Sequence, residues 1–186
     1  MENGKRKTEN VDFQIFNFPF SVFTKFMKTL FILRHAKSSW DDANLADFDR
    51  PLNKRGFKTA PLVGETIRKN KFQIDSIICS PARRAEQTAT LVKETAQVKT
   101  DIQFDDRIYE ASPHRLLQIA SELDDKIKSV MLVGHNPGLE GLLKMLTEEV
   151  ESMPTAALAV VDLKIDTWKD IHIDCCSLRI VIRPKD

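Results

Sequence analysis

Thr29-Leu30-Phe31-Ile32-Leu33-Arg34-His35 and Val130-Met131-Leu132-Val133-Gly134-His135-Asn136-Pro137 are two short apolar runs that each break off at a histidine. Short apolar runs bounded by turn residues read as buried strands. In an open α/β sheet, ligands bind in the crevice beyond the carboxyl ends of the strands, so this pattern sets two imidazoles in one crevice. A third run, Ile77-Ile78-Cys79, opens into Ser80-Pro81-Ala82-Arg83-Arg84-Ala85-Glu86-Gln87-Thr88. There Ser80 reads as a helix N-cap and Pro81 as the first helical residue.

Outward from these runs the chain alternates. Strand patterns cover about 29–34, 74–79, 102–105 and 129–134, and helix patterns about 54–69, 82–97, 113–123 and 138–147. Two β-rich runs follow, near 157–165 and 171–182, and are expected to pair antiparallel at one edge. Such alternation predicts a three-layer α/β/α sandwich around a mostly parallel sheet with an antiparallel edge strand. Pro61 falls inside the first helical pattern, where it should kink or delay the helix. Residues 1–26 differ in character, with a polar start and then six phenylalanines between positions 13 and 26. They read either as an artefact of start-site choice, with Met27 the true initiator, or as an extension that is disordered or docks its aromatics on a surface. The domain proper is expected over 27–186.

Bulk properties narrow the function classes. The 186 residues suit one domain with a substantial core. Lys and Arg total 28 against 27 Asp and Glu, a net charge of +1. No bulk field therefore draws nucleic acid or an anionic membrane, and any anion must be bound locally. No apolar run reaches the ~18 residues of a membrane helix, and no signal peptide is apparent. Cys79, Cys175 and Cys176 are odd in number, and two of them are adjacent, which fits a reduced, cytoplasmic setting.

The arginines point to the chemistry. Arg83 and Arg84 lie in the expected first turn of a helix, where the macrodipole disfavours cations. An anion in front of that helix reverses the argument, because backbone N–H groups and guanidinium forks both bind phosphate. Arg34 approaches the same crevice from the first strand. With no H-E-x-x-H, no carboxylate at ligand spacing and no Gly-rich phosphate loop, the constellation suits a phosphoryl group better than a metal.

Leu33-Arg34-His35-Ala36-Lys37-Ser38-Ser39-Trp40, Arg50-Pro51-Leu52-Asn53-Lys54-Arg55-Gly56, Ser80 to Thr88 and Gly134-His135-Asn136-Pro137 together resemble the histidine phosphatase (phosphoglycerate mutase-like) superfamily in its short SixA-like branch. The resemblance covers about residues 28–183. It implies a phosphohistidine mechanism without metal or cofactor, with His35 as nucleophile, Arg34 and Arg84 clamping the phosphoryl oxygens and His135 donating to them. Ser38 joins the substrate-binding residues. Arg84, not Arg83, matches the family's Arg-Ala pair, leaving Arg83 at the rim. Two departures stand out. Ala36 replaces a frequent glycine, and Asp41 stands where mutase-like members place a phosphate-contacting Asn, so it either turns away or reads a cationic group.

Glu110, in Tyr109-Glu110-Ala111-Ser112, is the carboxylate best placed by chain order to protonate a leaving group, or else it simply caps the helix near 113. The run Asp41, Asp42, Asp47 and Asp49 reads as a solvated loop. Arg50 is expected to pair with Asp47 or Asp49, Asn53 to cap the next helix, and Gly56 to allow close backbone approach. His114 and His172 match no motif and read as surface or packing residues. The expected function is a metal-independent phosphohydrolase whose partner is a phosphorylated substrate, either a phosphohistidine-bearing signalling protein or a small phosphoester. The alternatives are a small-molecule phosphomonoesterase of the same superfamily and a non-catalytic phosphate-binding domain.

Overall fold

The computed structural model describes residues 28–184, so the expectation for residues 1–26 lies outside the described residues. Among the described residues six strands form one sheet in the order β3-β2-β4-β1-β5-β6. They are β1 (Lys28–Arg34), β2 (Ser76–Cys79), β3 (Ile102–Phe104), β4 (Ser129–Gly134), β5 (Leu158–Leu163) and β6 (Cys176–Ile182). Four α-helices join them: α1 (Lys54–Lys69), α2 (Arg83–Ala96), α3 (Pro113–Ser121) and α4 (Gly138–Thr147). The β1/β4, β2/β4 and β2/β3 pairs are parallel. β5 runs antiparallel to both β1 and β6. The reversed strand is therefore β5, one in from the edge, and β6 is the edge strand that pairs antiparallel with it.

Period-2 alternation splits the apolar strands between two cores. Leu30, Ile32, Val130 and Leu132 pack with the α3/α4 layer around Leu116, Leu139 and Trp168. Phe31, Leu33, Met131 and Val133 pack with the α1/α2 layer around Val63, Ala85 and Val92. Because both faces are covered, the strands read as continuous apolar runs rather than as alternating ones. This is the expected three-layer sandwich.

Helix α1 begins where expected, with the Asn53 side chain accepting from the Gly56 N–H at 2.9 Å. Pro61 neither delays nor breaks it. The carbonyl that Pro61 deprives of a partner belongs to Phe57, an exposed residue, so water can replace the lost hydrogen bond. A Cβ on Gly56 would lie 2.3 Å from the Lys37 carbonyl oxygen, which locks the start of α1 against the loop after β1.

Two capping expectations are corrected. Helix α2 starts at Arg83 with Ala82 as N-cap, because the Ser80 hydroxyl is engaged elsewhere. Helix α3 is capped by Ser112, whose hydroxyl accepts from the Arg115 N–H, so Glu110 has no capping role. His114 and His172 are exposed, and all three cysteines are free thiols. Among the described residues no helix is long and apolar enough to cross a membrane.

Candidate active site

Strand register brings the two histidines together. Arg34 of β1 lies directly opposite Gly134 of β4, so His35 and His135 are the next residues out from adjacent parallel strands. Their ring centroids are 5.0 Å apart. On the other flank of β4, Cys79 is level with Val133, and Ser80 emerges beside His135. Three neighbouring strand ends thus supply His35, His135 and Ser80, and the first turn of α2 supplies Arg84.

The tautomer of His35 is set by its own backbone. Nδ1 lies 2.7 Å from the Ala36 carbonyl oxygen, which only accepts, so Nδ1 carries the hydrogen and Nε2 carries the lone pair. The Ala36 N–H donates to the Thr88 hydroxyl, which in turn donates to the Arg84 carbonyl. This chain ties the turn after His35 to the first turns of α2. Burial, followed by the charges of Arg84, Arg34 and Arg50, pushes the His35 pKa down to about 4 against the opposing effect of the Ala36 hydrogen bond.

His135 Nε2 lies 2.9 Å from the Ser80 hydroxyl, which also accepts from the Ala82 N–H. The arrangement that satisfies all three groups has Ser80 donating to Nε2, which leaves the hydrogen on Nδ1. Among the described residues that Nδ1 is buried without a hydrogen-bond partner, a donor left unused beside His35. Burial, then His35 and Arg84, hold the His135 pKa down at about 3, so both imidazoles are neutral near neutral pH. Arg34 is anchored through Nη1 on the Met153 carbonyl at 2.8 Å, while its Nε is buried and has no hydrogen-bond partner among the described residues.

Ser38 is buried, and its hydroxyl accepts from Arg50 Nη2 at 2.8 Å. Arg50 also donates through Nε to the Ser39 carbonyl and lies over the Trp40 ring, with 3.1 Å between guanidinium carbon and ring centroid. Its predicted carboxylate partner is Asp47, at 2.7 Å. Arg83 is exposed. Asp41 is exposed too, and its backbone N–H bonds the Ser39 hydroxyl, so its charge turns outward. Glu110 is exposed on a backbone with φ of 51°, and no hydrogen bond or ion pair joins it to Arg34, His35, Arg84 or His135 among the described residues.

Two site residues escape the sequence reading. Asp47 does not belong to a merely solvated loop, since its carboxylate reaches Arg84 Nη2 at 2.8 Å and Arg50 Nη1 at 2.7 Å. Tyr109 donates to the same carboxylate at 3.0 Å and stands edge-on to His135, with centroids 5.5 Å apart. The only advance signal was Asp47 lying three residues before a motif arginine. Tyr109 reaches the site because its loop is pressed on α4. A Cβ on Gly138 would lie 2.2 Å from the Ala111 carbonyl oxygen.

A profile of the histidine phosphatase superfamily (branch 1) matches residues 30–128, a span containing Arg34, His35 and Arg84 and ending before His135. An uncharacterised protein of Mycobacterium tuberculosis is 31% identical over 157 residues, covering 78% of this chain and 96% of its own. Phosphohistidine phosphatase SixA of Escherichia coli is 25% identical over 138 residues, covering 72% and 84%. Among solved structures, an Agrobacterium tumefaciens protein provisionally named phosphohistidine phosphatase SixA superposes with a TM-score of 0.73 at 30% identity. That match covers 86% of this chain and all of the other. These agreements, together with the histidine pair that register sets side by side, make the chain a phosphatase belonging to the histidine phosphatase superfamily, branch 1, in its SixA-like group.

Proposed function

We propose that the protein hydrolyses phosphohistidine in a partner protein without a metal, through a phosphoryl group carried transiently on His35. The observation that carries this reading is the His35 Nδ1 hydrogen bond to Ala36, which leaves Nε2 as a neutral nucleophile among cationic donors. In the first step Nε2 attacks phosphorus in line, a P–N bond to His35 forms, and the bond to the leaving group breaks. Arg34 and Arg84 stabilise charge on the equatorial oxygens, and His135 Nδ1–H donates to one of them. In the second step water attacks the phosphohistidine, releases inorganic phosphate and returns the lone pair to Nε2.

The supply of protons favours this substrate. Burial raises the Asp47 carboxyl, but hydrogen bonds from Arg50 and Tyr109 and the charge of Arg84 outweigh it and hold the pKa at about 2, so Asp47 has no proton to give. Glu110 remains, out on the solvent side, as the carboxylate for oxyester leaving groups. A leaving imidazole needs less acid assistance than an alkoxide. The name of the Escherichia coli relative supports the same substrate class, and the exposed Trp40 and Phe48 near the site suit a macromolecular partner.

The deciding experiment offers a histidine-phosphorylated carrier protein and an aryl phosphate, each with and without chelator. Faster dephosphorylation of the carrier, unchanged by chelator, is expected. Preference for the aryl phosphate would favour a small-molecule phosphomonoesterase, and turnover of neither would favour a binding domain.

Acid pH gives a second test. An imidazole of ordinary pKa, ~6.5, would lose its lone pair on going from pH 7 to 5. With His35 held near 4, kcat/KM is expected to keep its nucleophile across that range and to fall only as pH approaches 4. Stability follows the opposite preference. The unfolded chain protonates both histidines below about 6.5 while the fold keeps them neutral, so folding stability falls as pH is lowered from about 6.5 toward 4. A denaturant midpoint that is flat over that window would contradict the depressed values.

A further inference from the structure

Asp47 opens a single turn of 3-10 helix, Asp47–Asp49, in the segment between β1 and α1. From there it supplies the clamp arginine with two acceptors. Arg84 Nη2 donates to the Asp47 carboxylate, and Arg84 Nη1 donates to the Asp47 backbone carbonyl. One N–H on each terminal nitrogen of the guanidinium, the end of the fork that grips two oxygens of a phosphoryl group, is thus already engaged by Asp47. The same carboxylate takes donors from Arg50 and Tyr109, so side chains from three separate parts of the chain converge on its two oxygens. Its side chain is nevertheless 46% exposed, and water stands ready to receive it if it is expelled.

We infer that Asp47 is an internal anionic ligand of the phosphoryl clamp, holding in the free protein the donors on Arg84 that a phosphoryl group takes, so that substrate binds by displacing it. A carboxylate presents two oxygens to a guanidinium fork much as a phosphoryl group does. When the competent state of a site is occupied from within, apparent affinity for the outside ligand falls by the fraction left free. A permanent strut that aims Arg84 at the phosphoryl group would have the opposite effect on affinity, and the sign separates the two.

This inference rests on the reading that Arg84 holds the phosphoryl group, and it is tested by binding rather than turnover. Calorimetric titration with inorganic phosphate, and with tungstate as a second oxyanion, compares the wild type, Asp47→Asn, Tyr109→Phe and the loop control Asp42→Asn. The Asp47→Asn protein is expected to bind both oxyanions about tenfold more tightly. Tyr109→Phe, which removes one of the carboxylate's three partners, is expected to tighten binding a few-fold and keeps the test alive if the Asn variant does not fold. Asp42→Asn is expected to match the wild type. Equal or weaker oxyanion binding by both Asp47→Asn and Tyr109→Phe overturns the inference, as does a lack of oxyanion binding in the wild type and both of these variants alike. A wild type that binds phosphate yet hydrolyses nothing would sink the proposed function while leaving the Asp47 comparison intact.

Discussion

A His35→Ala protein is expected to fold, to bind inorganic phosphate and to lose turnover by about 10⁴-fold or more, because the proposed covalent mechanism, deprived of its nucleophile, falls back on the surrounding electrostatics. Among the described residues His35 makes one side-chain hydrogen bond, to the carbonyl of its neighbour Ala36, and it packs against His135 at 5.0 Å between ring centroids. Removing a neutral ring held this way deletes no buried charge, so the melting temperature should move by only a few degrees. The direct measurement is rapid-quench trapping with labelled substrate. Acid-labile, base-stable phosphate should accumulate on the wild type and be absent from His35→Ala. Label persisting in the variant would move the nucleophile elsewhere, with His135 the nearest imidazole, and would require a different role for the Ala36 hydrogen bond.

Arg84→Ala is expected to lower kcat/KM by about 10³-fold, in the range found when a guanidinium is withdrawn from a phosphoryl-transfer site. Arg84→Lys should recover little of that, since an ammonium cannot reproduce the planar fork that now spans two oxygens of Asp47. A second consequence separates loss of the clamp from general damage. Arg84 is one of the charges holding the His35 and His135 pKa values down, so in Arg84→Ala the acid limb of residual activity should move toward higher pH. Wild-type kcat/KM in Arg84→Lys, or an unmoved acid limb in Arg84→Ala, would remove Arg84 from the clamp.

What the sequence makes legible here is local. Strands buried on both faces announce themselves as apolar runs, and the run ending at Arg34-His35 and the run ending at Gly134-His135 fall into register because both terminate at the same edge of the sheet. Asn53 and Gly56 sit where a helix start and a close approach need them. What stays hidden is long-range and polar. Asp47 reaches Arg84 across 37 positions of chain, and Ser80 reaches His135 across 55. Neither contact follows any period, and a serine beside a proline carries the same signature whether its hydroxyl caps a helix or orients an imidazole. Acidic loops are equally ambiguous, because the four aspartates between 41 and 49 look alike in composition and only the turn at Asp47–Asp49 aims one of them inward. Pro61 misled for a related reason. A proline's cost depends on whether the carbonyl it orphans faces water, and one residue type cannot reveal that.

The reversal of β5 has an architectural consequence. A strand that runs against its neighbours begins where they end, so the stretch feeding it, residues 148–157, must reach the sheet edge that carries His35 and His135. Met153 from that stretch accepts from Arg34 and from Asn136, and Ala156 bonds the His35 carbonyl. Chain length added ahead of Ser152 would hang over the histidines without disturbing any sheet register. That segment is thus the natural graft point for a cap, where an open phosphatase could be engineered into one that encloses a small substrate.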